Sequence, residues 1–190
     1  MKTLKLLAVA GVIALSPLAA QADGFSYSYL EGGFAQLDVD GVSSKLDGYY
    51  LRGSVGFAEH FFAAADYLDA SKGGFDTQIY SVVLGGHLPL SDQIDLTGRA
   101  GYAGSEAGAY GFNASDDGYV IGAGLRGRVA ERFELEGNVN YYDFSDSGGE
   151  TVVGVAARYH FTDQFALGAE YQHFDGADLW GLGVRWSFGK

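Results

Sequence analysis

The sequence predicts an all-β chain: a transmembrane antiparallel up-and-down β-barrel of ten strands, with short turns at one end and an N-terminal export signal. Three observations predict it. One turn motif recurs four times, the segments between its copies alternate apolar and polar residues, and aromatic residues sort to the two ends of those segments.

The export signal comes first. Lys2 and Lys5 open the chain, an apolar run follows from Leu6 to Leu15, and Ala20-Gln21-Ala22 supplies a small-residue ending. That order reads as a signal peptide over 1–22, cleaved before Asp23. The rest, 23–190, has the length of one barrel domain. Loss of Lys2 and Lys5 takes the formal charge from −12 to −14. With no basic patch, nucleic acid is excluded as a partner. Cysteine is absent, which excludes thiol catalysis and cysteine-ligated metal. After Ala22 no stretch approaches the roughly 18 apolar residues of a membrane helix. Thirteen Tyr, 13 Phe and 30 Gly with only two Pro suit strands joined by tight turns.

The repeated turn sets the strand count. Its copies are Phe57-Ala-Glu-His-Phe61, Leu90-Ser-Asp-Gln-Ile94, Val129-Ala-Glu-Arg-Phe133 and Phe161-Thr-Asp-Gln-Phe165. Between successive copies there is room for two tilted strands of about 11–13 residues and one outer loop, enough to cross a bilayer. Four inner turns imply five hairpins. The expected strands are 25–38, 47–57, 61–70, 76–90, 94–105, 117–129, 133–144, 150–161, 165–174 and 178–188, with short periplasmic turns. Outer loops centre on Gly41, Gly73, Gly111, Gly148 and Gly176. The third, about 104–117, reads as the one long connection. Eight strands is the alternative count and requires that one hairpin be absent.

Alternation gives each strand two faces. Trp180, Leu182, Val184, Trp186 and Phe188 oppose Gly181, Gly183, Arg185 and Ser187. The apolar faces sort by height. Tyr49, Tyr67, Tyr80, Tyr102, Tyr119, Tyr141 and Tyr171 lie toward the loops, and Phe57, Phe61, Phe133, Phe161, Phe165 and Phe188 toward the turns. Two aromatic girdles around an apolar band are what membrane interfaces select. In the first strand Glu31 turned inward carries Tyr27 and Tyr29 inward too, unless a bulge near Tyr29 reverses them.

The polar faces then line a lumen. If Phe57 pairs with Phe61, Arg52 faces Asp66. If Val129 pairs with Phe133, Arg126 faces Glu136 and Arg128 faces Glu134; directly opposed residues on one face interact. Arg99, Arg158 and Arg185 are further lumen cations, with Glu31, Asp95 and Glu170 as candidate neighbours. These charges read as a salt-bridged polar core or as a pore eyelet, and small barrels are filled by their own side chains. His87 and His160 point inward near the turn end, and His60 sits in a turn. None has metal-ligand spacing, so neither a metal nor another cofactor is expected.

The outer loops are acidic, with Asp38, Asp40, Asp47, Asp69, Asp116, Asp117, Asp143, Asp146 and Asp178 among their residues. Divalent cations would bridge them to lipopolysaccharide phosphates. Asp38-Val-Asp40-Gly41 lacks the later Glu of a calcium loop. Outer acids with His173 invite comparison with the omptin proteases, but the strands are too short. No Gly-x-Ser-x-Gly segment occurs. No enzyme is expected.

Short motifs carry a family likeness. Gly32-Gly-Phe-Ala-Gln36, Gln78-Ile-Tyr80, Asp117-Gly-Tyr-Val-Ile-Gly-Ala-Gly-Leu125 and Gly181-Leu-Gly-Val-Arg-Trp-Ser-Phe188 resemble segments of the small OmpX/OmpA-like outer-membrane barrels. The sequence departs from them in its ten strands and in Gly189-Lys190 after the closing Phe188. The resemblance implies an integral, non-enzymatic protein of a Gram-negative outer membrane. Lipid and lipopolysaccharide would surround it, and the barrel-assembly machinery would insert it. A surface role through the acidic loops, in adhesion, cell contact or envelope integrity, is the leading expectation. A narrow porin-like channel is the alternative. No lipid face is polar enough to demand a partner, so a monomer is expected.

Overall fold

The computed structural model describes residues 24–41 and 44–188. The expected signal peptide and the terminal Gly189-Lys190 lie outside the described residues. Ten strands run in order: β1 Tyr29–Val39, β2 Leu46–Phe57, β3 Phe61–Lys72, β4 Phe75–Ser91, β5 Ile94–Ala109, β6 Phe112–Ala130, β7 Phe133–Phe144, β8 Gly148–His160, β9 Phe165–Phe174 and β10 Ala177–Ser187. Each pairs antiparallel with its sequence neighbours. β1 closes on β10 from Tyr29↔Ser187 to Val39↔Ala177, which leaves a closed barrel. Closure leaves no free sheet edge across the apolar band, the condition for a sheet to sit in lipid.

The turn motif explains the inner end. β2 and β3 pair in the expected register, Phe57↔Phe61 and Arg52↔Asp66. Two other turns differ in detail. Ser91 pairs with Ile94 and Ala130 with Phe133, each beside a bulge. Val129 is therefore not the partner of Phe133, yet the register above the bulge is the expected one, with Arg126↔Glu136 and Arg128↔Glu134. At the outer end Gly41, Gly73, Gly111, Gly148 and Gly176 all take positive φ, from 61° to 91°. Glycine adopts that left-handed region without a Cβ clash.

The long third connection does not exist as a loop. β5 and β6 pair as far as Ala109↔Phe112 across the Tyr110-Gly111 turn. The residues read as loop extend the two strands instead. Alternation there is interrupted by glycine, alanine and acids, which hid the strand signal. β5 and β6 thus have 16 and 19 residues, against 10–13 in most strands, while β4, with 17, gains its length at the inner end, where His87–Ser91 run past the last β3 pair, Phe61↔Gly86. One side of the barrel stands taller than the rest.

β1 starts at Tyr29 rather than Phe25, and its pairing with β10 and β2 runs without a bulge. Tyr27 stays inside, so alternation needs no correction there. The lipid face carries Phe34, Val82, Leu84, Leu96, Ile121, Val139, Val155 and Leu182, all exposed. Outer aromatics pair across strands, as in Tyr171–Trp180 with ring centroids 4.6 Å apart. Inner ones pair likewise, as in Phe57–Phe61 and Phe161–Phe165, each 6.2 Å.

Leu84 sits midway along β4 and is 65% exposed. A Leu84→Arg change should cost about 2–4 kcal/mol near the bilayer midplane, read as a lower urea midpoint for folding into phospholipid vesicles. An unchanged midpoint would mean that this face does not meet lipid.

Candidate functional site

A barrel that turns its apolar faces to lipid must satisfy its interior by itself. Two carboxylates organise that interior. Glu31 on β1 is 3% exposed. It accepts hydrogen bonds from Arg185 Nε, from Arg158 Nε at 3.3 Å and from Arg52 Nη1 at 3.3 Å. Glu134 on β7 is buried too. The guanidinium fork of Arg126 donates to it twice, each bond 2.9 Å. Arg158 Nη1 at 3.3 Å and His160 Nε2 at 3.2 Å also contact it. Arg158 joins the two centres and donates to Glu136 at 2.8 Å.

Around this pair the network widens. Arg52 bonds Asp66 at 2.6 Å and Glu170 at 3.0 Å. Arg99 donates to Asn140 Oδ1 at 2.9 Å and lies 3.6 Å from Asp66. Ser81 on β4 donates to Asp66 at 3.1 Å. All ten strands reach the network through these side chains, and Arg158–Glu31 and Arg52–Glu170 link strands that are not neighbours in the sheet. The contacts are charge-assisted and mostly multidentate, which is what a buried charge requires.

Two expected pairs form differently. Arg126 bonds the diagonal Glu134 rather than the directly opposed Glu136, and Glu136 goes to Arg158. Arg128 lies over the Phe25 ring at 5.3 Å rather than bonding Glu134. Strand twist brings i and j−2 neighbours within reach of long side chains. Arg126 there meets its carboxylate fork to fork. Asp95 pairs with no arginine. It accepts from the Tyr27 hydroxyl at 2.8 Å and lies 3.2 Å from His87 Nδ1.

The lumen is not wholly polar. An apolar cluster of Leu37, Leu46, Tyr50, Leu68 and Leu179, with Phe174 packed on it, lines the outer end of the lumen along β9, β10, β1, β2 and β3. A second, of Phe25, Tyr27, Phe62, Ala64, Val83 and Val120, fills the inner mouth and one wall. The inward turn of Tyr27 and Tyr29 was the sequence signal for it, but alternation alone does not show how far an aromatic ring reaches into a lumen. Between the clusters lie cavities of about 110 Å³ and about 70 Å³. Both are lined by Asp66, Arg99, Glu136, Asn138 and Arg185. Glycine makes room for the packing: a Cβ on Gly183 would stand 2.3 Å from the Tyr50 hydroxyl.

The outer rim is the other candidate. Above Gly118, β6 pairs with β5 alone, because β7 ends at Phe144 opposite Gly118. Strand alternation turns the backbone groups of Asn113 and Ser115 to the uncovered side. At the tip Tyr110 is 75% and Phe112 82% exposed, and Tyr110 holds a φ of 48°. Asp116 braces the base of this wall. It accepts hydrogen bonds from Ser147 Oγ at 2.7 Å, from Ser147 N at 2.7 Å and from Asp146 N at 3.1 Å. The Asp116 contacts tie the 145–147 turn to the wall.

Residues 6–157 match the outer membrane protein beta-barrel domain family. The chain belongs to that family. Its fold, a closed antiparallel barrel with aromatic girdles, is the family's, and its place is the outer membrane. The four-turn end, where β1 begins and β10 ends, is taken as the periplasmic end. Among solved structures it is similar to Ail, the attachment invasion locus protein of Yersinia pestis. Identity there is 18% and the TM-score 0.45, over 86% of this chain and 99% of that one. The KdgM porin gives 10% and 0.49, over 84% and 99%. The N-terminal barrel of Pseudomonas aeruginosa OprF gives 13% and 0.47, over 86% and 100%. Likenesses of this strength add nothing to the family assignment. No curated protein sequence matches the chain.

Glu134→Gln should destabilise the barrel by about 3–5 kcal/mol, because Arg126 and Arg158 lose a buried counter-charge. The double change Arg126→Met with Glu134→Leu should recover part of that loss. Urea unfolding in vesicles reads both. A single variant as stable as the wild type would contradict the network's role.

Proposed function

We propose that this barrel is a non-enzymatic surface protein that makes contact with another cell or macromolecular surface through the raised wall of the β5–β6 hairpin. The wall itself carries the reading: an uncovered strand edge ending in two exposed aromatic residues, set above the outer tyrosine girdle. An open edge is a template for pairing with an extended segment of another chain. Exposed aromatics at a hairpin tip supply large contact area with few rotors. Tyr110 adds a second indication, because non-glycine residues at positive φ are strained and persist where structure or function demands them. Glu106, Asp116 and Asp117 flank the edge, so the wall favours a cationic partner surface.

An interior occupied largely by its own side chains supports this reading over a narrow channel. The charges inside engage one another, and apolar side chains occupy part of the lumen toward both ends.

The test replaces residues 107–114 with Asn-Gly, which shortens the hairpin and leaves the transmembrane strands intact. Bacteria displaying the wild-type barrel should adhere to a cultured epithelial monolayer or to one another. Bacteria displaying the shortened barrel should fall to the level of cells without the protein, with heat-modifiable gel migration still showing a folded barrel. Equal adhesion by the two strains would overturn the proposal.

A further inference from the structure

The segment before β1 does something the barrel ladder does not require. Residues 25–28 leave the sheet and enter the lumen at the periplasmic mouth. Phe25 and Tyr27 are each 4% exposed. The Tyr27 ring stacks on His87 at 4.1 Å and on Phe62 at 5.2 Å, and its hydroxyl bonds Asp95. Arg126 lies over both rings, at 4.7 Å from Phe25 and 5.2 Å from Tyr27, and donates to the Ser26 carbonyl at 2.9 Å. Side chains hold most of the segment, and a single backbone bond at Ser28 continues the β1–β10 ladder. Its backbone meets the wall through Ser54 Oγ to the Tyr27 carbonyl, Phe188 N to the Ser28 carbonyl and the Arg126 bond.

We propose that residues 25–28 are a plug for the periplasmic mouth, and that its withdrawal opens the lumen cavities to the periplasm while the barrel stays folded. Tyr27 lines the 70 Å³ cavity from below, and Arg99, Asp66 and Glu136 connect that cavity to the larger one. With the plug out, the two cavities form one polar compartment open at the inner end, with Leu37, Leu46, Leu68 and Leu179 along one side of its outer end. Elements held by few backbone bonds open locally at lower cost than strands of a closed sheet. Strands β1 and β10 keep their pairing from Tyr29 to Val39 whether or not the plug is seated. This inference stands apart from the role of the outer wall: it concerns the opposite end of the molecule and predicts no change in adhesion.

The chain has no cysteine, so single cysteines report access cleanly. Ser26→Cys places a thiol in the buried plug, and Thr97→Cys places one on the wall of the lower cavity. The full-length barrel is refolded into detergent micelles and treated with a charged, water-soluble maleimide. Ser26→Cys should react faster than the barrel unfolds. Thr97→Cys labelling should accelerate about tenfold when Tyr27→Gly is added, the shift expected when a mostly closed population opens. Heat-modifiable migration confirms the fold in each case. If Ser26→Cys reacts only at the unfolding rate, the segment is a fixed part of the core and the plug is overturned, whether or not the Tyr27→Gly barrel folds. An unchanged Thr97→Cys rate in a folded Tyr27→Gly barrel would overturn it as well.

Discussion

Lipid on the outside dictates the inside. A soluble domain buries its apolar faces in its core, whereas here Leu84, Val155 and Leu182 face the bilayer and the lumen must close on polar groups. Glu31 and Glu134 meet that demand with four arginines drawn from β2, β6, β8 and β10. Each carboxylate alone would be a costly buried charge, and each arginine alone likewise. Held together, they cross-link strands that share no ladder bond. The rest of the interior is arranged around them, with an apolar cluster at each mouth, glycine where a side chain has no room, and small cavities between.

The same inversion frees the outer end for other work. The strands need to cross only the apolar band, yet β5 and β6 continue well past the tyrosine girdle. That extra length adds nothing to the crossing. It builds a wall whose base is fixed by Asp116 and whose edge and tip stay open. The molecule thus divides by height into an outer wall, a self-satisfied middle and an inner end where Phe25 and Tyr27 lie buried.

Much of this was legible in the sequence. The four turn motifs fixed the strand number and the β2–β3 and β6–β7 registers, because a side-chain period of two leaves no freedom once a turn is placed. The lumen residues followed from the same arithmetic. Their partners did not. Cross-strand opposition names one neighbour, while an arginine several bonds long chooses among diagonal ones, so Arg126 went to Glu134 and Arg158 to three acids at once. The outer part of the third hairpin was hidden by glycines, alanines and acids in Gly104–Asp117, which read as loop but pair as strand on both sides of the Tyr110-Gly111 turn. The wider spacing between Asp92 and Glu131 held that information. The plug was the least legible element. Tyr27 and Tyr29 announced themselves as inward-facing, but nothing local says that Phe25 leaves the sheet to lie beneath Arg126.

The central claim is that this lumen is filled rather than open, and single-channel recording of the refolded barrel in a planar bilayer tests it most directly. Protein whose gel migration shows a folded barrel should leave the bilayer silent at neutral pH. Steady, discrete conductance steps, altered by Arg126→Ala or Glu136→Ala, would show a continuous water path through the charge network and contradict the account.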